Sequence, residues 1–307
     1  MFGGVYIQKT IRKYYGFLTI LCVLIGFLFP QFEIFSSLVP YLLAILVFCL
    51  VVEHKIGDFT RIARKPSIVL VLALSNFIIF PVIGIFLGNL LSLPQGDVFT
   101  GIILLSFAPS PVVAALWAEL SGGNGSIPVT TALFTMIASI FVYPLILFFM
   151  GISSPQLSFQ IFQLLVLSIF VPAVLALFIR FEEDRYLPAK NVITIVSVFV
   201  SLLIIVIAVS HMASRVLSNE LSILIKISII VIILILCGML FGYLVGRFSK
   251  IKENNNKSYI YVTGMRDGIV PLSVALLYFN SNATLASTLL LIIMPFIVVC
   301  AYYLIRN

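Results

Sequence analysis

Arg266 and Asp267 stand side by side in Gly264-Met-Arg-Asp-Gly268, a stretch that interrupts an apolar run over 258–279. A charged side chain at the centre of a membrane helix costs roughly 2.5–3.5 kcal/mol on insertion scales, so an ionisable group in such a run is a functional candidate by default. Arg266 admits three chemistries. Its permanent charge could stand in for a bound cation beside exposed carbonyls. Its fork of donors could bind a carboxylate or another anion. It could also form a structural ion pair, with Asp267 or with Glu119 at the end of another apolar run. Adjacent residues on an intact helix point about 100° apart, so Arg266 and Asp267 would meet only on unwound backbone. Asp267 is also a candidate proton-coupling carboxylate. Glu119 reads either as a residue at the mouth of a cavity or as an interfacial residue at a helix end. Ser110, Asn124, Thr130 and Thr263 offer hydroxyl or amide contacts, although such side chains in apolar helices also bond their own backbone.

Other chemistries lack their parts. Cys22, Cys49, Cys237 and Cys300 lie singly in apolar surroundings, without ligand or disulfide spacing. There is no metal-binding helix motif, no Ser-His arrangement in an apolar run, and only one deeply placed aspartate where an aspartyl dyad needs two. The sequence therefore predicts neither an enzyme nor a bound cofactor.

The elements that must position these residues are membrane spans. Of 307 residues, 62% are hydrophobic and 9% charged, and the mean hydropathy is +1.23. That balance excludes a soluble domain of this size. Spans are expected near 16–30, 34–53, 67–91, 97–120, 125–150, 157–179, 191–212, 221–246, 258–279 and 283–304, which predicts an all-α protein of ten transmembrane helices. The net charge of +7 marks orientation and gives no sign of nucleic acid. Fifteen of the 18 basic residues fall on one side of such a ten-span chain, among them Lys9, Arg12, Lys55, Arg61, Arg185, Lys250 and Arg306. The positive-inside rule then puts both termini in the cytoplasm of a multi-pass protein of the cytoplasmic (inner) membrane. The first span follows a basic N-terminus as a signal peptide would, but no small-residue cleavage site follows Gly26-Phe-Leu-Phe-Pro30, so it is expected to stay as a helix.

Five spans on either side of a central cut would enter the membrane in opposite orientations, the condition for a 5+5 inverted repeat. Asn124-Gly-Ser-Ile-Pro-Val-Thr130 and Asn282-Ala-Thr-Leu-Ala-Ser-Thr288 align at an offset of about 158 residues under the same period-based reading. The fourth and ninth spans correspond in such a repeat, and both are interrupted, one by Pro109 and Pro111, the other by Gly264, Gly268 and Pro271. Proline removes a helical donor and clashes with the preceding turn, and glycine tolerates open backbone, so both helices should break. Broken backbone at membrane depth survives only against protein or a water-filled cavity, which makes the pair of breaks the expected binding site. Pro40, Pro81, Pro144, Pro172 and Pro295 read instead as packing kinks.

The stretch Ser106-Phe-Ala-Pro-Ser-Pro-Val-Val-Ala-Ala-Leu-Trp-Ala-Glu-Leu-Ser-Gly-Gly-Asn124, continuing to Tyr143-Pro144, resembles the fourth and fifth helices of the bile acid:sodium symporter superfamily, which includes the arsenite efflux permeases. Phe77-Ile-Ile-Phe-Pro81 and Gly264-Met265 resemble its third and ninth helices. The resemblance implies crossed fourth and ninth helices. It also implies a panel domain from 1–53 and 157–212 (helices 1–2 and 6–7) and a core domain from 67–150 and 221–307 (helices 3–5 and 8–10), rocking against each other for alternating access. The hydroxyl and amide ligands of the first sodium would fall on Ala114, Ala115, Pro128 and Ala132, none with a side-chain oxygen. The shared acidic ligand would fall on Val262 and an amide ligand of the second sodium on Arg266, while the third-helix amide is kept in kind as Asn76. A guanidinium at a cation's position opposes sodium there, so sodium coupling stays open. Of the arsenite permeases, Ala108-Pro109 and Trp117 are shared, but Ser110 replaces their cysteine, and a hydroxyl does not replace a thiolate toward a soft metalloid.

The expectation is a secondary transporter of a small, anionic organic solute in the lipid bilayer, with Arg266 as cation surrogate. An arsenite-type or other metalloid permease and a non-transporting sensor of the same fold are the alternatives. Substrate identity, direction, coupling ion and oligomeric state are not legible from these residues.

Overall fold

Proline and glycine decide where this apolar chain is helical and where it is not. The computed structural model describes residues 16–53, 66–180, 190–216, 221–248 and 253–305, and among these the regular structure is entirely helical. Most of the basic residues from which the orientation was read, including Lys9, Arg12, Lys55, Arg61, Arg185, Lys250 and Arg306, lie outside the described residues.

Helix α1 (Gly16–Leu28) leads through a 3₁₀ segment (Pro30–Leu38) into α2 (Val39–Glu53). Pro40, read from sequence as a packing kink, lies instead in the first turn of α2, where its missing N–H has no helical partner to lose, so it starts the helix. Helix α3 (Pro66–Leu74) runs through a π-turn (Ser75–Ile79) into α4 (Phe80–Leu90), followed by α5 (Asp97–Ser106), α6 (Ala114–Leu120) and α7 (Ser126–Phe149). Helix α8 (Pro155–Leu165) passes through a second π-turn (Val166–Phe170) into α9 (Val171–Arg180). The remainder is α10 (Lys190–Val216), α11 (Leu221–Phe248), α12 (Glu253–Gly264), α13 (Ile269–Tyr278), a 3₁₀ turn (Ser281–Thr284) and α14 (Leu285–Ile305). Each π-turn ends two residues before a proline, Pro81 or Pro172. A widened turn relieves the clash between the proline ring and the preceding turn, so these helices continue past their prolines without breaking.

Among the described residues, eight helical segments are long and apolar enough to cross a membrane, and Gly16–Leu28 and Asp97–Ser106 are shorter apolar helices. Seven of the eight are 33–50% buried along their most apolar stretch, whereas Asn256–Tyr278 is 89% buried. Their outer faces carry bare side chains such as Phe86, Phe141, Phe178, Phe199 and Leu236, a surface that suits hydrocarbon and not water. The interrupted segment is thus the one enclosed by protein on nearly all sides, as unsatisfied backbone requires.

The closest helix packing is between α11 and α12. Gly238, Gly242 and Gly246 form a smooth stripe at four-residue spacing; a methyl at Gly238 would meet the Thr263 carbonyl, and one at Gly242 the Tyr259 carbonyl. Such spacing lets two backbones approach in a membrane. Helix α12 also packs on α6 and α7, and α4 packs on α5, while α2 lies against α9 and α10.

Candidate functional site

Two helix breaks meet inside the protein. In the first, α5 stops at Ser106 and helix resumes at Ala114. Pro109 and Pro111 have no N–H to give the carbonyls four residues earlier. The intervening Ser110 N–H turns away to Thr135 Oγ1 at 3.1 Å. The Ser106 carbonyl therefore loses its helical donor. In the second break, α12 ends at Gly264 and α13 begins at Ile269.

Hydrogen bonds stitch the breaks to each other and to the third span. The Asp267 N–H donates to the Pro109 carbonyl at 2.8 Å. The Ser110 hydroxyl donates to the Val262 carbonyl at 2.8 Å, and the Asn76 amide, in the π-turn of the third span, donates to the Ser110 oxygen at 2.7 Å. All of these side chains are buried.

Arg266 is 0% exposed. Its Nη1 donates to the carbonyls of Ser106 at 2.8 Å and Ala108 at 3.3 Å, at the C-terminal, partially negative end of α5. The guanidinium carbon lies 4.0 Å from the centre of the Phe80 ring, within cation–π range. Its Nε and Nη2 have no hydrogen-bond partner. Among the described residues no carboxylate pairs with it: Asp267 Oδ1 instead accepts from the N–H groups of Ile269 at 2.8 Å and Val270 at 3.4 Å, capping α13. Glu119 is exposed on the last turn of α6. The ion pairs that the sequence left open for Arg266 do not form, because each member of the Arg266-Asp267 dipeptide is drawn to a different helix end.

Of the residues singled out from sequence, Arg266, Asp267, Ser110 and Asn76 therefore come together, with Pro109, Pro111, Gly264 and Gly268 at the breaks, while Pro271 falls in the first turn of α13, just past the second break. Thr263 faces the other way, its hydroxyl donating to the carbonyls of Gly238 and Tyr259. Asn124 lies at the entry to α7, exchanging backbone bonds with the Ser258 hydroxyl, and its Oδ1 accepts from the Ser126 N–H. The Thr130 hydroxyl, on α7, has no bonding partner. Sequence reasoning missed Phe80, Ser106 and Thr135. Phe80 stands beside a proline in a motif already noticed, but nothing in the chain says that its ring faces a guanidinium from another helix. The positions that would carry sodium ligands, Ala114, Ala115, Pro128 and Ala132, are buried and offer no side-chain oxygen.

A sequence profile of the sodium bile acid symporter family matches residues 40–219. The chain is also 24% identical over 190 residues to a Bacillus subtilis (strain 168) protein described as uncharacterized sodium-dependent transporter YocS. That alignment covers 60% of this chain and 59% of the relative, so the chain spans somewhat less than two thirds of it. The profile match extends over more than half of the chain and includes the first helix break with its two prolines: the protein belongs to the sodium bile acid symporter family.

Proposed function

We propose that the protein is a secondary transporter of a small anionic organic solute, working by alternating access without sodium, with Arg266 in place of the cation. The observation that carries this reading is the pair of bonds from Arg266 Nη1 to the Ser106 and Ala108 carbonyls. Freed carbonyls at the end of a broken helix are a cation's usual oxygen ligands at membrane depth. Here a covalently attached positive charge takes them, and a buried guanidinium repels a second cation from the same place.

In this reading the chain is a ten-span, 5+5 inverted repeat in the cytoplasmic membrane with both termini in the cytoplasm. Support comes from the two breaks at corresponding positions and from Asn124 and Asn282, which stand in matching seven-residue stretches at the entries to α7 and α14. Residues 1–53 and 157–212 form a panel, and 67–150 and 221–307 form a core that carries the crossover. The packing of α2 on α9 and α10, and of α12 on α6, α7 and α11, is what such a division needs. Ser110 does not favour a metalloid site, because its hydroxyl is spent on Val262 and Asn76.

The test is a sodium concentration jump on proteoliposomes adsorbed to a solid-supported membrane. A sodium-binding carrier displaces charge when sodium arrives. The native protein is expected to give no current above a choline control, and a saturable sodium-dependent current would refute the stand-in.

A further inference from the structure

We infer that the Nε–Nη2 edge of Arg266 is the anion-binding element of the transporter and takes the carboxylate of a monoanionic solute in a two-pronged bond. The inference rests on the transporter reading above and names the chemical group that its site holds. A guanidinium offers five donors in one plane. One terminal nitrogen is committed to the Ser106 and Ala108 carbonyls, and the Phe80 ring lies against one face. The opposite edge, Nε and Nη2, is buried and has no partner. Buried donors of a charged group are rarely left unpaired in a folded protein, and binding of a ligand is one role that accounts for them. Two parallel N–H groups on one edge match the two oxygens of a carboxylate.

The charge count selects a monoanion. Arg266 is the single cationic side chain among the buried described residues, and the other buried charged group, Asp267, is occupied by the N–H groups of α13. A phosphate dianion would bring a second negative charge into this low-dielectric site without a partner. The arrangement also divides labour within one side chain. Nη1 holds the broken helix together in the absence of solute, and the far edge is left to recognise it, so solute can come and go without releasing the helix end.

The experiment is heat denaturation of the full-length protein in detergent with acetate as probe. Potassium acetate is compared with acetamide plus potassium chloride at equal ionic strength. Acetate is expected to raise the midpoint of the native protein by about 2–4 °C at a concentration tenfold above its Kd, and acetamide to leave it unchanged. Arg266→Lys keeps the charge and loses the edge, and should lose most of the acetate response. Phe80→Leu keeps the arginine but removes the ring that fixes its plane; it should weaken the apparent acetate affinity at least threefold, and it decides the matter if Arg266→Lys does not fold. Equal effects of acetate and acetamide on the native protein, or an undiminished acetate response in the variant that folds, would overturn the inference. The two proposals fail separately. A native protein that ignores both sodium and acetate keeps the cation stand-in and loses the carboxylate edge, and one that responds to both does the reverse.

Discussion

Arg266 and Asp267 are chain neighbours that bond to opposite ends of two different helices. The guanidinium donates to carbonyls at the C-terminal end of α5, and the carboxylate accepts N–H groups at the N-terminal end of α13. Each charge faces the helix end of complementary sign. Each buried charge thereby meets a helix end of opposite sign without an ion pair, and the broken backbone beside it, which would otherwise be costly at this depth, gains partners.

Asp267 then acts mainly through its acceptor oxygen. Asp267→Asn retains an oxygen that can cap α13 and is expected to fold, whereas Asp267→Ala should cost about 1–2 kcal/mol by leaving the first N–H groups of α13 unpaired. Denaturation midpoints of the two variants check this; equal losses would mean that the charge, not the cap, matters.

Ser110 and Asn76 form one chain of bonds that ends on the Val262 carbonyl. Ser110→Ala and Asn76→Ala should each destabilise by about 1–3 kcal/mol. The double variant should cost less than the sum by about 1 kcal/mol, since either change already breaks the chain. A double-mutant cycle from thermal denaturation measures the coupling, and strict additivity would deny it.

How much of this was legible beforehand follows from how local each signal is. Pro109, Pro111, Gly264 and Pro271 mark the breaks because a missing N–H or Cβ acts on the immediate backbone, whatever surrounds it. Arg266 stood out for a similar reason, as a charge in an apolar run. Its partners did not, because unwound backbone leaves side-chain direction undetermined; Asp267 and Glu119 were plausible from sequence, and carbonyls made available by the geometry of α5 took the place of both. Thr263 was grouped with the site because it lies one residue from Gly264, yet one residue is about 100° on a helix, enough to turn it to α11. The π-turns before Pro81 and Pro172 escaped notice because the prolines read only as kinks. The glycines at 238, 242 and 246 carried a readable four-residue period, and their small size becomes meaningful only beside the α12 backbone.

That stripe gives a packing prediction. Gly242→Ala places a methyl against the Tyr259 carbonyl, so α11 and α12 must separate, and a loss of about 1–3 kcal/mol is expected. Gly16→Ala, whose methyl would lie 3.9 Å from Val299, is the control and should change stability by less than about 0.5 kcal/mol. Comparable losses would show that the close approach is not required.

Phe80 covers one face of the guanidinium. Phe80→Leu retains most of the buried apolar volume but removes the ring's negative face, and should cost about 1–2 kcal/mol. The same substitution in an Arg266→Gln background should cost distinctly less, and an equal cost there would reduce the contact to ordinary packing.

The central claim, that a built-in guanidinium takes the place of a cation, is tested most directly by heat denaturation of the purified protein in sodium chloride against choline chloride, for the native sequence and for Arg266→Gln. A ligand that binds the folded state must raise its apparent stability. The account predicts a native protein with the same midpoint in both salts and an Arg266→Gln protein that is less stable in choline and partly rescued by sodium. A native protein that is itself stabilised by sodium would contradict it, because the cation would then have ligands elsewhere and Arg266 another task.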